Sequence, residues 1–278
     1  MSNTQINYAT IQVAKLTPTI GAEIGGVDLR GPVTDKQLRE IREALLENLV
    51  IFFRDQHLTI EQHKAFARFF GPLHIHPTLG TKEHPEIIEI KADENSKQVA
   101  GEFWHSDVTS DPEPPMGSIL YLKVVPENGG DTLFANMYRA YETLSAPIRR
   151  MVDQLRAVHD GSVYEGAFYD TEEGRPAKKY ATSEHPVART HPETGRKALF
   201  VNRYFTTRIV GLAPSESSAI LEMLFQHCER DDFKCRFKWR QNSVAFWDNR
   251  CTQHQAIFDY YPQRRYGHRV TIAGDKPV

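Results

Sequence analysis

The chain has 278 residues, with 34 Lys and Arg against 36 Asp and Glu for a formal charge of −2. That balance gives no electrostatic reason to bind nucleic acid, and three cysteines without regular spacing exclude a disulfide-stapled secreted scaffold. No apolar run approaches the ~18 residues of a membrane span, and the first twenty residues lack the basic and apolar regions of a signal peptide, so a cytoplasmic protein is expected.

In chain order, the first predicted element is a helix starting near Thr34-Asp35, where Leu38, Ile41, Leu45 and Leu49 recur at the spacing of one buried face. It runs into Val50-Ile51-Phe52-Phe53, a buried strand. Thr59, with Gln62 three residues on, is a capping-box signature for a second helix carrying Phe66, Phe69 and Phe70, stopped by Gly71-Pro72. Beyond residue 85 the texture changes to short strand-like runs at 86–90, 118–125, 131–134, 198–202, 243–247 and 267–272. Pro126-Glu127-Asn128-Gly129-Gly130 is a strong turn between two of them. Two helices are expected within 136–158, divided at Ser145-Ala146-Pro147, and a third over 215–229. Residues 161–184 are polar and aperiodic, a candidate lid. The pattern predicts a mostly β core with outer helices, in one domain over 1–278.

The most informative spacing lies in Phe103-Trp104-His105-Ser106-Asp107. In an extended segment residues two apart share a face, so His105 and Asp107 project together. One further His would complete a two-His-one-carboxylate set, which leaves open positions on Fe(II). Alone, the tripeptide is weak, and an ordinary surface or core histidine is the commoner outcome. Twelve histidines against three cysteines point to imidazole and carboxylate rather than thiolate as metal donors. The segment Trp247–His254 follows an apolar strand; Arg265 lies eleven residues past His254 and Arg269 four further. Strand residues four apart share a face, so both guanidiniums would line one pocket. They suit two small anions, or one anion and a structural pair.

Taken in order, Ile20-Gly21-Ala22-Glu23-Ile24, Phe53-Arg54-Asp55-Gln56, Leu73-His74-Ile75-His76-Pro77, Trp104-His105-Ser106-Asp107-Val108, Gly129-Gly130-Asp131-Thr132, Val201-Asn202, Phe205-Thr206-Thr207-Arg208-Ile209, the Trp247–His254 segment and Pro262-Gln263-Arg264-Arg265 form a specific pattern. The pattern resembles the taurine dioxygenase/TfdA family of Fe(II)- and 2-oxoglutarate-dependent dioxygenases, from about residue 20 to 278. The resemblance implies a double-stranded β-helix (jelly-roll) core. It implies His105, Asp107 and His254 as iron ligands, and Thr132 and Arg265 on the distal carboxylate of 2-oxoglutarate. O2 would be the other co-substrate, succinate and CO2 the products beside a hydroxylated substrate. No protein acid or base is required. His76, Arg269 and the backbone N–H of Val108 match a sulfonate clamp, and Phe205 an aromatic that closes the substrate pocket. Family likeness also implies a homo-oligomer, a dimer or tetramer.

Where taurine enzymes present polar side chains to the amine, this sequence has Leu79, Ala100 and Gly101, and Gly161 replaces an aromatic. A buried ammonium there would lack partners. The expected substrate is therefore a small anion with an apolar or bulky tail, an organosulfonate, alkyl sulfate or carboxylate, hydroxylated next to the heteroatom so that a C–S or C–O bond breaks. Glu102 or Asn95 are candidates to restore an amine contact. Residues 102–121 and 233–236 also look similar to aryloxyalkanoate-cleaving members, which makes a phenoxy acid the alternative substrate. Outside this enzyme class, a jelly-roll binding protein would have lost a ligand or Arg265, and a zinc hydrolase would need a general base but not Arg265. The remaining groups have plainer expectations. His57, His63 and His74 are surface residues, Trp104 and Trp247 packing walls, Cys251 a buried filler, and His159-Asp160 a solvated helix end. Arg264 has no site role.

Overall fold

The structure, a computed structural model, describes residues 8–76, 79–163 and 180–278. Strands β1 (Gln12–Lys15) and β2 (Ala22–Gly25) precede helix α1 (Asp35–Asn48). The Thr34 hydroxyl accepts from the Gln37 N–H, and the Gln37 side chain returns to the cap backbone. That reciprocal arrangement satisfies two donors a helix start leaves orphaned. Strand β3 (Val50–Phe53) follows, then α2 (Ile60–Arg68), with the same box at Thr59 and Gln62. Then come β4 (Leu73–His74), β5 (Ile87–Ala92), β6 (Gly117–Val124) and β7 (Thr132–Asn136). Helices α3 (Met137–Glu142) and α4 (Ala146–Val152) lead into β8 (Arg156–Asp160), β9 (Thr182–Pro186), β10 (Ala188–Thr190), β11 (Lys197–Leu199) and β12 (Thr206–Ile209). The chain ends with α5 (Pro214–Cys228), β13 (Lys234–Phe237), β14 (Ser243–Asp248), β15 (Thr252–Ala256) and β16 (Arg265–Ile272).

The large sheet runs β1-β2-β3-β14-β6-β16-β4, with β5 also on β16. Smaller sheets β13-β7-β15 and β12-β8-β9 complete the double-layered jelly roll, and β10 pairs with β11. Strand alternation sorts the side chains of the large sheet into two cores. Phe52, Leu120, Leu122, Ala245 and Trp247 join the core shared with Phe134 of β7. Their neighbours Phe53, Ile119, Tyr121, Val244 and Phe246 pack with Ile41, Leu45 and Phe66 of α1 and α2. Each fully buried side chain of this size contributes about 1.5–3 kcal/mol of transfer free energy. On β16 the parity puts Val270 and Ile272 on the helix side. Arg265 and Arg269 are thereby turned toward the inside of the roll.

Several expectations are corrected. His63 is fully buried, its Nε2 3.1 Å from the Ile119 carbonyl, not a surface residue. It shares the buried face of α2 with Phe66 and Ala67, while Phe69, off that face, is 56% exposed. His74 is half-buried and His57 exposed. His159 and Asp160 lie in β8 rather than at a helix end, and His159 is fully buried with Nδ1 2.9 Å from Thr109 Oγ1. The second helix of the 136–158 region ends at Val152, and Ser145 makes no side-chain cap bond there. Of the candidate lid, residues 164–179 lie outside the described residues, and Thr182–Pro186 is strand, not loop. No helix among the described residues is long and apolar enough to cross a membrane.

Candidate active site

His254 is carried on β15, opposite Phe134 of β7. His105 lies outside the named strands and bridges to His254 through two backbone bonds, His105 N to His254 O at 3.1 Å and His254 N to His105 O at 2.8 Å. The bridge brings the two ring centroids to 4.1 Å. Asp107 Oδ1 then lies 3.9 Å from His105 Nε2 and 4.0 Å from His254 Nε2. The three predicted ligands are together and buried.

The electrostatics suit a cation. His105 Nδ1 sits 2.8 Å from the Phe103 carbonyl, so Nδ1 donates there and Nε2 faces Asp107. Burial first, and His105 second, push the His254 pKa well below its ordinary value, which leaves a neutral imidazole. Burial alone would push the Asp107 carboxyl up. Arg269, His254, His105 and the Ser118 hydroxyl outweigh it and hold the carboxyl well below the usual carboxylate range. Arg269 donates to Oδ1 at 2.6 Å and Ser118 to Oδ2 at 2.8 Å. Two imidazoles and one ionised carboxylate are the donor set of non-haem Fe(II) sites with open positions, so the residues present fit the metal.

A cavity of about 320 Å³ opens beside this triad. Its wall includes all nine predicted site residues: His76, His105, Asp107, Val108, Thr132, Phe205, His254, Arg265 and Arg269. On its wall Arg265, buried at the start of β16, has no carboxylate partner among the described residues, and its Nε is unpartnered. Burial pushes its pKa down, an unfavourable environment for a cation that an incoming carboxylate would relieve. Val108, also on the cavity wall, has φ 49°, a left-handed backbone. That conformation costs a β-branched residue roughly 1–2 kcal/mol and clusters at ligand-binding positions. Leu79, Ile88, Ile90, Val99, Ala100 and Gly101 line the apolar part.

The two candidates for an amine contact do not reach it. Glu102 is spent on the Val99 N–H at 3.3 Å, Asn95 is exposed, and neither is among the described residues lining the cavity. A Cβ on Gly161 would sit 3.0 Å from Ser110 Oγ and 3.3 Å from Tyr180 Cβ, so a side chain there would have to displace these neighbours. The 233–236 stretch does not line the cavity either: Phe233 is core and Arg236 pairs with Asp131 at 2.6 Å. Trp104 and Trp247 pack in the core, as expected, and Trp247 also stands 4.8 Å from the His254 ring as cavity wall. Cys251 is buried with its thiol pushed well up by burial. It neighbours His191 and Asp248. There Nε2 of His191 bonds Asp248 at 3.0 Å, its Nδ1 accepts two backbone N–H groups at 3.2 Å, and Arg250 forks onto Asp248. That network is internally satisfied and structural.

Sequence reasoning missed four contributors. Asn249 accepts from Asp107 N at 2.6 Å and donates to Asp107 O and Pro115 O, fixing the carboxylate's backbone. Its place inside the Trp247–His254 segment was the available signal. Trp239 donates to Thr132 Oγ1. Tyr204 lies 5.2 Å from the His105 ring, and Tyr260 lines the cavity. Nothing in the local pattern distinguishes these last three.

Residues 12–271 match the family described as taurine catabolism dioxygenase TauD, TfdA. An alpha-ketoglutarate-dependent sulfate ester dioxygenase of Pseudomonas putida is 38% identical, over 96% of this chain and 91% of its own. An (S)-phenoxypropionate/alpha-ketoglutarate dioxygenase of Sphingobium herbicidovorans is 33% identical, over 95% of each. The crystal structure of a taurine dioxygenase from Burkholderia xenovorans superposes with a TM-score of 0.84 at 43% identity, covering 97% of this chain and 91% of that one.

Proposed function

The chain belongs to the taurine catabolism dioxygenase TauD, TfdA family, and from that premise we propose that it is an Fe(II)- and 2-oxoglutarate-dependent dioxygenase of alkyl sulfates or alkylsulfonates with an apolar tail. His105, Asp107 and His254 would hold the metal. Bound iron with O2 and 2-oxoglutarate supplies oxidation of the substrate carbon next to the heteroatom, with succinate and CO2 released and the C–O or C–S bond then lost.

The chain's own residues bind, orient and exclude water. Arg265 offers a planar fork and Thr132 one hydroxyl donor to the distal carboxylate of 2-oxoglutarate. Arg269, His76 and the Val108 N–H form the clamp for the sulfate or sulfonate oxygens. Phe205 and Tyr204 close the wall beside the triad, while Leu79, Ile88, Ile90, Val99 and Ala100 take the tail. Holding the anion at a fixed point sets which carbon faces the metal, so geometry selects the site of attack. A single catalytic domain, acting as a dimer or tetramer in the cytoplasm, belongs to the same proposal, and light scattering checks the assembly.

The observation that carries the reading is the cavity's asymmetry: cationic donors at two points and a remainder lined by Leu79, Ile88, Ile90, Val99 and Ala100, while the acids among the described lining residues are Asp107, bonded to Arg269, and Glu89, which accepts from the Tyr266 hydroxyl. Fe(II)-loaded protein should be assayed for succinate release with taurine, alkylsulfonates, alkyl sulfates and phenoxyalkanoates. Each buried methylene contributes ~0.8 kcal/mol, so KM should fall about fourfold per added carbon until the cavity is full. Taurine turning over best would refute the apolar-tail assignment, and phenoxyalkanoates turning over best would establish the alternative. Ligand binding with no succinate from any of them would leave a binding protein.

A further inference from the structure

Trp239 lies two residues beyond β13 and is buried. Its indole N–H donates to Thr132 Oγ1 at 2.9 Å, and the Arg265 guanidinium lies 5.8 Å from its ring centroid. One side chain therefore touches both residues assigned above to the co-substrate carboxylate. An indole N–H can only donate, and a threonine hydroxyl has one proton and two lone pairs. With one lone pair occupied by the indole, the Thr132 proton is turned away from Trp239. Thr132 lines the cavity, so the proton is available to an acceptor there.

The indole is itself fixed. Phe237 meets it edge-on at 4.9 Å and stacks on Phe52 at 3.8 Å, and Phe237 pairs with Thr132 in the β13–β7 register. The aromatic ladder ties the co-substrate end of the cavity to β3 of the large sheet. The ring also presents an electron-rich face to Arg265 at cation–π distance.

We propose that Trp239 is a positioning residue for 2-oxoglutarate: its N–H sets the Thr132 hydroxyl as a donor toward the carboxylate, and its face steadies Arg265. The proposal rests on the functional reading above. The test is calorimetric binding of 2-oxoglutarate to the Mn(II)-loaded chain, with no turnover required. Trp239→Phe should raise the 2-oxoglutarate Kd about 5–20-fold, the scale of one lost hydrogen bond with its orienting effect. Mn(II) affinity without co-substrate should stay unchanged. In a Thr132→Val background the same change should cost less than about twofold, because the coupling runs through that hydroxyl.

An unchanged Kd in Trp239→Phe, or the full loss repeated in the Thr132→Val background, overturns the role. Where Phe at 239 does not fold, benzothienylalanine at that position keeps the indole's shape and removes only the N–H. It should show the same rise in Kd, and its binding like the wild type would equally overturn the role. A wild-type chain that takes up Mn(II) but no 2-oxoglutarate refutes the functional reading itself, and this inference with it.

Discussion

Replacing Asn249 by Ala tests whether the backbone around Asp107 is what holds the proposed metal site in shape. Asn249 is 1% exposed and makes three side-chain bonds of 2.6–3.0 Å: one from Asp107 N–H, and one each to the carbonyls of Asp107 and Pro115. The amide orientation is forced, since its oxygen must meet the N–H and its nitrogen the two carbonyls. Truncation leaves three buried backbone groups unpaired, each costing about 1–3 kcal/mol, less where water enters the space vacated. A total near 4 kcal/mol follows, and at ~0.6 kcal/mol per degree for a chain of this length the midpoint should fall about 7 °C. Metal affinity should fall more selectively, by 10–100-fold, the usual loss when an outer partner of a ligand is removed. Thermal unfolding by circular dichroism and Mn(II) titration by electron paramagnetic resonance read the two effects separately. Asn249→Asp sharpens the test: it keeps the acceptor for the Asp107 N–H but sets an anion against two carbonyl oxygens, and should be no better than alanine at pH 8. An Asn249→Ala protein with its midpoint within 2 °C and its Mn(II) Kd within twofold of wild type would refute the reasoning.

Three further outcomes follow. Gly101 has φ +87°, and a Cβ there would lie 3.0 Å from His105 Cε1; Gly101→Ala should weaken Mn(II) binding about tenfold through about 1–2 kcal/mol of left-handed strain and a displaced ring, and an unchanged Kd would dismiss that contact. His63 and His159 are held down to about 3 by burial, with neighbouring cationic or histidine groups adding to it. Because each binds its proton in the unfolded chain near 6.5 but not in the folded one, their contribution is whole above pH 6.5 and is lost as pH falls toward 3. Between pH 7.5 and 5 the pair should remove about 4 kcal/mol of unfolding free energy, measured by urea titration, and His63→Gln should flatten that slope. A slope untouched by the substitution would contradict the assignment. Arg265→Lys keeps the charge and loses the fork, so the KM for 2-oxoglutarate should rise 10–100-fold with little change in the KM for the anionic substrate; a rise in both would mean the two anion ends are not separate.

Much of the site is legible because it depends on short-range periodicity. His105 and Asp107 share a face by their spacing of two, Arg265 and Arg269 by their spacing of four, and the structure places all four on the cavity wall. The same arithmetic would have found His63, which is three residues before Phe66 and four before Ala67 on the buried stripe of α2. Residue type alone points His63 to the surface; its position on the stripe points it inside. His159 departs from its expected helix end for a different reason. The chain turns from α4 into β8 within four residues, and only pairing with β9 and β12 extends that segment. Asn249 and Trp239 act across 142 and 107 residues of sequence respectively. No local pattern encodes such contacts, because the pairing of strands distant in sequence creates them: Trp239 follows β13, which pairs with β7, and Asn249 follows β14.

Charge accounting inside the cavity turns the substrate question into a measurable difference. Among the described lining residues, Glu89 and Lys91 offset each other, leaving Asp107 against Arg265 and Arg269 for a net charge of one positive. A divalent metal raises that to three. The dianion 2-oxoglutarate lowers it to one, and a monoanionic sulfate or sulfonate brings it to neutrality. A zwitterion such as taurine adds nothing net and places its ammonium in the same low-dielectric space, where an uncompensated charge is costly. Propane-1-sulfonate has the shape of taurine with a methyl in place of the ammonium, so the pair isolates this one term. Measured by calorimetry on the Mn(II)- and 2-oxoglutarate-loaded chain, propane-1-sulfonate should bind at least tenfold more tightly, equivalent to ~1.4 kcal/mol. Substituting Arg269 by Met should narrow the gap. Its loss weakens the clamp for both ligands but lowers the positive charge that the monoanion alone relieves. Taurine binding as tightly as propane-1-sulfonate would mean that an acidic partner for the amine exists in the loaded cavity, and the apolar-tail assignment of Leu79, Ala100 and Gly101 would fall.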